Sequence, residues 1–147
     1  MSNEDKNNVI YVCSLIEYIA RATKNKVADI VKILGKKEIE RQLMIAEVNH
    51  SLSFEQVSDE LIEKYGIQEG NFDSVGNCIY KVPKHVDIGK NYYRLIEDVI
   101  GNKSITDTLY EVMTSFLAEK MSNYNSSLYY SSREYLRECY IAGMILD

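Results

Sequence analysis

His50 and His85 are the only histidines in this chain, and Cys13, Cys78 and Cys139 the only cysteines. Proton transfer by imidazole near neutral pH, or thiolate chemistry, has to begin from these five positions. Their spacing assembles no familiar device. The chain has no Cys-x-x-Cys, no His-Glu-x-x-His, no Gly-x-Ser-x-Gly and no glycine-rich phosphate loop. Cys78 and His85 can be drawn as nucleophile and base, but no third group is indicated to orient the imidazole. His50 closes an expected helix, where the dipole favours a cationic ring, a structural role. Cys13 and Cys139 fall among apolar helical residues. Buried reduced thiols are therefore expected rather than a disulfide framework. No metal site, no cofactor and no catalytic residue is expected, and the chain reads as a non-enzyme.

Three groups of residues have chemistry suited to binding instead. Tyr124, Tyr129, Tyr130, Tyr135 and Tyr140 crowd the last quarter among Asn123, Asn125, Ser126, Ser127, Ser131 and Ser132. Tyr and Ser together make adaptable contact surfaces, and Tyr buries a ring while keeping its hydroxyl bonded. The chain holds 12 Tyr, 3 Phe and no Trp, so some of these rings must fill the core. Tyr135 and Tyr140 are assigned to packing. The adjacent Tyr129 and Tyr130 cannot both face one core from a regular helix, so one is expected to be an exposed anchor. Tyr124, Tyr129, Tyr130 and Arg133 are the expected partner contacts. Asp59, Glu60 and Glu63, on the outer side of a helix, form a second, acidic patch that solvation alone also explains.

The third group is basic. Between Arg21 and Arg41 lie Arg21, Lys24, Lys26, Lys32, Lys36, Lys37 and Arg41 against Asp29, Glu38 and Glu40, a window of +4 in a chain of net charge −5. A basic helical hairpin over 26–41 on an acidic body is the footprint of a helix-turn-helix regulator. Lys26, Lys32, Lys36, Lys37 and Arg41 would be its nucleic-acid contacts. The geometry opposes this alternative. With Gly35 as the turn residue, an apolar side chain is wanted where Arg41 stands, and Glu38 and Glu40 would face phosphates. The competing explanation is a solvated face in which Glu40 pairs with nearby lysines.

The elements that would position these residues are all helical. Val9, Val12, Cys13, Ile16, Ile19 and Ala20 repeat at three- and four-residue steps, one face of a helix over about 7–23. Asn25 can cap a second, with Val27, Ile30, Val31 and Leu34 inward and Gly35 as its stop. A third carries Ile39, Leu43 and Ala46 toward His50. Leu52-Ser53-Phe54-Glu55-Gln56-Val57 spells a capping box with a Leu52–Val57 staple. It opens a helix that buries Val57, Leu61, Ile62 and Tyr65 and ends at Gly66, with Ile67 folding back on the last turn. A fifth presents Ile88, Tyr92, Leu95, Ile96 and Val99 and stops at Gly101. Ser104, with Asp107, starts a sixth bearing Ile105, Leu109, Val112, Phe116 and Leu117. Ser131, with Glu134, starts the last, with Tyr135, Leu136 and Cys139 inward and Ile141 and Met144 toward the same side. Residues 67–83 hold Gly70, Gly76 and the only proline. They read as an ordered connection, with Cys78–Val82 locally strand-like but without a partner strand.

These readings define an all-α, compact bundle of about seven helices with an irregular central connection. It forms one domain over 1–147, with possible halves 1–66 and 84–147. Hydrophobic residues at 46% and charged residues at 27% are a globular balance. The acidic start lacks the layout of a signal peptide, and no apolar run spans a bilayer, so a cytoplasmic location is expected.

Val9-Ile10-Tyr11-Val12-Cys13-Ser14-Leu15-Ile16-Glu17-Tyr18-Ile19-Ala20 resembles the opening helix of a small bacterial family of unknown function, where an apolar run meets a Cys, an Ile-Glu pair and an aromatic. Glu47-Val48-Asn49-His50-Ser51 and Ser58-Asp59-Glu60-Leu61-Ile62 resemble that family's helix-end histidine and acidic final helix. The likeness covers residues 9–65; the helical half from Val86 onward departs from it. Members of the family are encoded beside toxin-like proteins, including some that resemble ADP-ribosyltransferases. The resemblance implies an antitoxin-like partner that binds another bacterial protein, and identifies no binding residue. Another protein is thus the expected partner. A homodimer is the next possibility, and no membrane is expected.

Overall fold

The computed structural model describes all 147 residues and is entirely helical. Its elements are α1 (Asn3–Thr23), α2 (Val27–Asn49), α3 (Phe54–Tyr65), α4 (His85–Val99), α5 (Ile105–Met113), α6 (Phe116–Met121), a 3-10 turn (Ser127–Tyr130) and α7 (Arg133–Ala142). The seven α-helices agree with the number expected, though they are divided differently.

α1 starts earlier than its apolar periodicity indicates. Ser2 accepts from the Asp5 amide at 3.0 Å and Asp5 accepts from the Ser2 amide at 3.3 Å, a capping box in the acidic first residues. Asn25 does not cap α2. Its amide donates to the Gln68 carbonyl at 2.9 Å and to Thr23 Oγ1 at 2.9 Å, tying down the connection, and Lys26 takes the cap position. The two helices expected on either side of Gly35 are both formed and meet there at a kink, because Gly35 leaves helical geometry, at φ 76°, ψ 166°; α2 is therefore one element in two helical parts. That region is open essentially only to glycine.

At α3, Ser53 accepts from the Gln56 amide at 3.0 Å, as the capping pattern requires. The reciprocal bond from Gln56 is not formed, and Leu52 stays exposed rather than stapled. Gly66 ends the helix, and Ile67 is buried with its amide on the Ile62 carbonyl at 3.0 Å. The expected sixth helix is broken in two. Thr114 and Ser115 turn their hydroxyls onto the Tyr110 and Val112 carbonyls at 2.6 and 2.7 Å, and Ser115 then caps α6. Ser132, not Ser131, caps α7: Ser132 accepts from the Tyr135 amide at 3.1 Å, while the Ser131 hydroxyl donates to the Ser127 carbonyl at 3.2 Å.

α1 is the central helix, packed most extensively on α4 and next on α2. One continuous core of 32 buried apolar residues takes in α1 and α2, α4 and α5, and the C-terminal Leu136 and Cys139, so both halves of the chain contribute to it. Each fully buried Leu, Ile or Met in it contributes roughly 1.5–3 kcal/mol. Cys13 and Cys139 are buried and free, as expected. Ile141 and Met144 are exposed, against expectation. α7 buries only a narrow stripe, Leu136 and Cys139, and terminates at Gly143.

Residues 67–83 form no strand. They are fixed by point contacts: Gly70 and Phe72 amides on the Thr23 and Lys24 carbonyls (2.8 and 2.9 Å), and Ile79 and Asn77 clamped by the Asn125 side chain (both 2.9 Å). No helix is long and apolar enough to cross a membrane.

Candidate interaction surface

The C-terminal Tyr/Ser/Asn segment divides into structural and exposed members. Tyr124 is not a surface contact. It is only 5% exposed, and its hydroxyl donates to the Glu17 carboxylate in the interior. Arg21 completes this group. Its Nε donates to Glu17 at 2.6 Å, and its Nη2 donates to the Pro83 carbonyl at 2.6 Å and to the Tyr124 oxygen at 3.3 Å. Burial pushes the Glu17 carboxyl above its ordinary range, while the Arg21 charge and the Tyr124 hydroxyl pull it back. Pro83 and Tyr124 are thereby both tied to α1.

Asn125 clamps the connection, and the 3-10 turn follows. Tyr129 is half-buried against the core, and the Asn91 side chain donates to its carbonyl at 3.4 Å. Tyr130 is 74% exposed, its ring edge-on to Tyr129 at 4.7 Å. The expected division of this pair, one ring inward and one outward, is what the fold produces. Ile79 and Tyr80, on the segment Asn125 holds, are also largely exposed. Tyr is one of the residue types enriched at interface hot spots.

Arg133 is held within the fold. It donates to Asp98 at 2.8 and 2.7 Å and to Glu97 at 2.6 Å, joining α7 to α4. Those hydrogen bonds raise its pKa further, so the cation is fixed and its charge already matched. Tyr93 donates to the same Glu97, and burial with that bond pushes its hydroxyl up to about 12. Asp59, Glu60 and Glu63 are exposed on α3, and none is ion-paired.

The basic window is largely neutralised. Lys26 pairs with Glu119 at 2.8 Å, Lys36 with Asp107 at 3.0 Å and Arg41 with Glu38 at 3.0 Å; Lys32 and Lys37 are exposed and unpaired. Glu38, expected to face outward, is buried. It accepts from Lys64 at 2.8 Å, Tyr65 at 2.7 Å, Arg41 at 3.0 Å and Gln42 at 3.1 Å. Burial alone would raise its pKa, but these four donors overcome it and hold the carboxyl down at about 2. Glu40 forms no ion pair, contrary to the expected pairing. With Ile39, Gln42 and Ala46 also buried, the second part of α2 is a packing element.

The two histidines, distant in sequence, share one aromatic cluster. Phe54 stacks on Tyr11 at 5.2 Å and receives the His85 ring edge-on at 4.8 Å, while His50 lies 4.9 Å from Tyr11 and His85 5.2 Å from Tyr18. Burial, with the Arg21 charge nearby, lowers the His85 pKa. Cys78 donates instead to the Tyr80 carbonyl at 3.3 Å, and no hydrogen bond joins it to His85.

Sequence reasoning missed Glu17, Arg21 and Glu38. Glu17 gave a usable signal: it lies on the face of Cys13, Ile16 and Ala20, where a charge has to find a buried partner. Glu38 gave none, because Lys64 and Tyr65 come from another helix. No protein-family model matches the chain, and neither a curated protein nor a solved structure matches it.

Proposed function

We propose that this chain is a non-enzymatic protein-interaction module, an antitoxin-like partner that binds and masks another bacterial protein. Tyr130 is the anchor of its contact surface. The observation that carries this reading is a large aromatic ring left in solvent beside segments that are hydrogen-bonded to the rest of the fold. Tyr129 packs beneath it, Asn125 clamps the neighbouring Ile79 segment, and Tyr124 is locked to Glu17 and Arg21. A rigid anchor loses little entropy on binding, which favours recognition by surface shape. The acidic α3 face of Asp59, Glu60 and Glu63 is a further contact of this type, suited to a basic partner.

The test is affinity capture from lysate of the native cell, with the wild-type chain and Tyr130→Ala as paired baits. A single protein held in stoichiometric amount by the wild type and reduced several-fold with Tyr130→Ala is the expected result. Equal recovery on both baits, or specific recovery of duplex DNA with retention lost as salt rises, would overturn the reading.

A further inference from the structure

A second surface, sharing no residue with the one around Tyr130, runs along the first turns of α1 where they meet the end of α2. Two adjoining troughs of about 370 and 380 Å³ meet there, with Glu4 and Asn8 common to both. Val9, Leu43, Met44 and Ile105 are the apolar side chains lining the first, and the second has none. Met44 is 78% exposed and Val48, one turn further along α2, 72% exposed. Side chains of this kind at i and i+4 on a packed helix leave an apolar stripe uncovered.

The rim is acidic. Glu4, Asp5 and Glu40 border the first trough, and Glu4 and Glu47, with His50, the second. Asp5 is engaged in the α1 cap, whereas Glu4, Glu40 and Glu47 have no ion-pair partner. From Glu40 to His50 the helix spans about 15 Å at 1.5 Å per residue, the length of a partner helix of about ten residues.

We infer that this groove docks a basic amphipathic helix of another protein, with its apolar stripe on Leu43 and Met44 and, just outside the groove, on the exposed Val48, and its Lys or Arg side chains on Glu4, Glu40 and Glu47. Apolar floor and unmatched acidic rim together select that occupant. A second copy of this chain paired on this face by a two-fold axis would bring the same carboxylates face to face, and an anionic membrane would be repelled by them. The inference does not depend on the Tyr130 surface.

Fluorescence anisotropy of two labelled helical peptides tests it. Both carry Leu at i, i+3, i+4 and i+7, one with Lys and one with Glu at the remaining polar positions. The Lys peptide should bind at least tenfold tighter than the Glu peptide. Met44→Ser with Val48→Ser, and separately Glu40→Gln with Glu47→Gln, should each weaken it at least fivefold. Glu134→Gln with Glu138→Gln, on exposed α7 positions, should leave it unchanged. Equal binding of both peptides, no binding of the Lys peptide, or an equal loss with the α7 pair would overturn the inference. So would a homodimer in sedimentation that dissociates with Met44→Ser and Val48→Ser, since a second copy would then be the occupant.

Discussion

Glu38 is the side chain whose titration the fold most strongly controls. Its folded pKa of about 2 lies below the ordinary carboxylate value, so the unfolded chain binds the proton more readily. The stabilisation is therefore complete above about pH 4.5 and is lost as the pH falls from there through about 2. It amounts to at most about 3 kcal/mol, and less once solvent screens the exposed ends of Lys64 and Arg41. Denaturant titrations of the wild type and Glu38→Gln between pH 2 and 6 measure this. The gap between the two should narrow toward pH 2, and a constant gap would show that Glu38 does not carry the acid sensitivity. Tyr11 has the opposite character. Its ring is buried against His50 and Phe54 while its hydroxyl finds no partner. Tyr11→Phe removes an unsatisfied polar group and keeps the packing. Thermal melting should show unchanged stability or a gain of about 1 kcal/mol. A loss of 2 kcal/mol or more would mean that the hydroxyl is bonded.

Among the elements, α4 meets α1 closely at Gly89. A Cβ added there would lie 2.1 Å from Ser14 Oγ and 2.9 Å from the Ile10 carbonyl oxygen. The serine can turn away, but the backbone oxygen cannot. Gly89→Ala should cost roughly 1–3 kcal/mol in chemical denaturation. Adding Ser14→Ala should recover only part of it; full recovery would mean that the backbone contact is slack. Nothing in the sequence marks Gly89, which sits inside a helical pattern where glycine reads merely as a weak helix former. What was legible were features closed within a few residues: the Ser53 and Ser104 caps, the Gly66 stop, and the apolar stripes of α1 and α4. The break at Thr114–Ser115 and the shift of the last cap from Ser131 to Ser132 were hidden, because neighbouring hydroxyls compete for the same amides and carbonyls. At the candidate surface, the inward–outward split of Tyr129 and Tyr130 was legible from adjacency alone. The burial of Tyr124 was not, because it depends on Glu17 more than a hundred residues away.

The whole molecule joins its two halves through α1 and α4 rather than tethering them by the connection. Its net charge of −5 is distributed unevenly. Most of the basic window is spent on internal pairs, while the unpaired acids collect on α3 and around the start of α1. A surface of this sign attracts cationic groups and repels phosphates. The most direct measurement is a calorimetric titration of the captured partner into the wild-type chain and into Tyr130→Ala. Because that ring is exposed, its removal leaves the core intact. The expected result is a folded variant whose binding is weaker by about 1–2 kcal/mol, or more. A variant with the wild-type melting temperature and the wild-type affinity would contradict a partner-binding role for this surface.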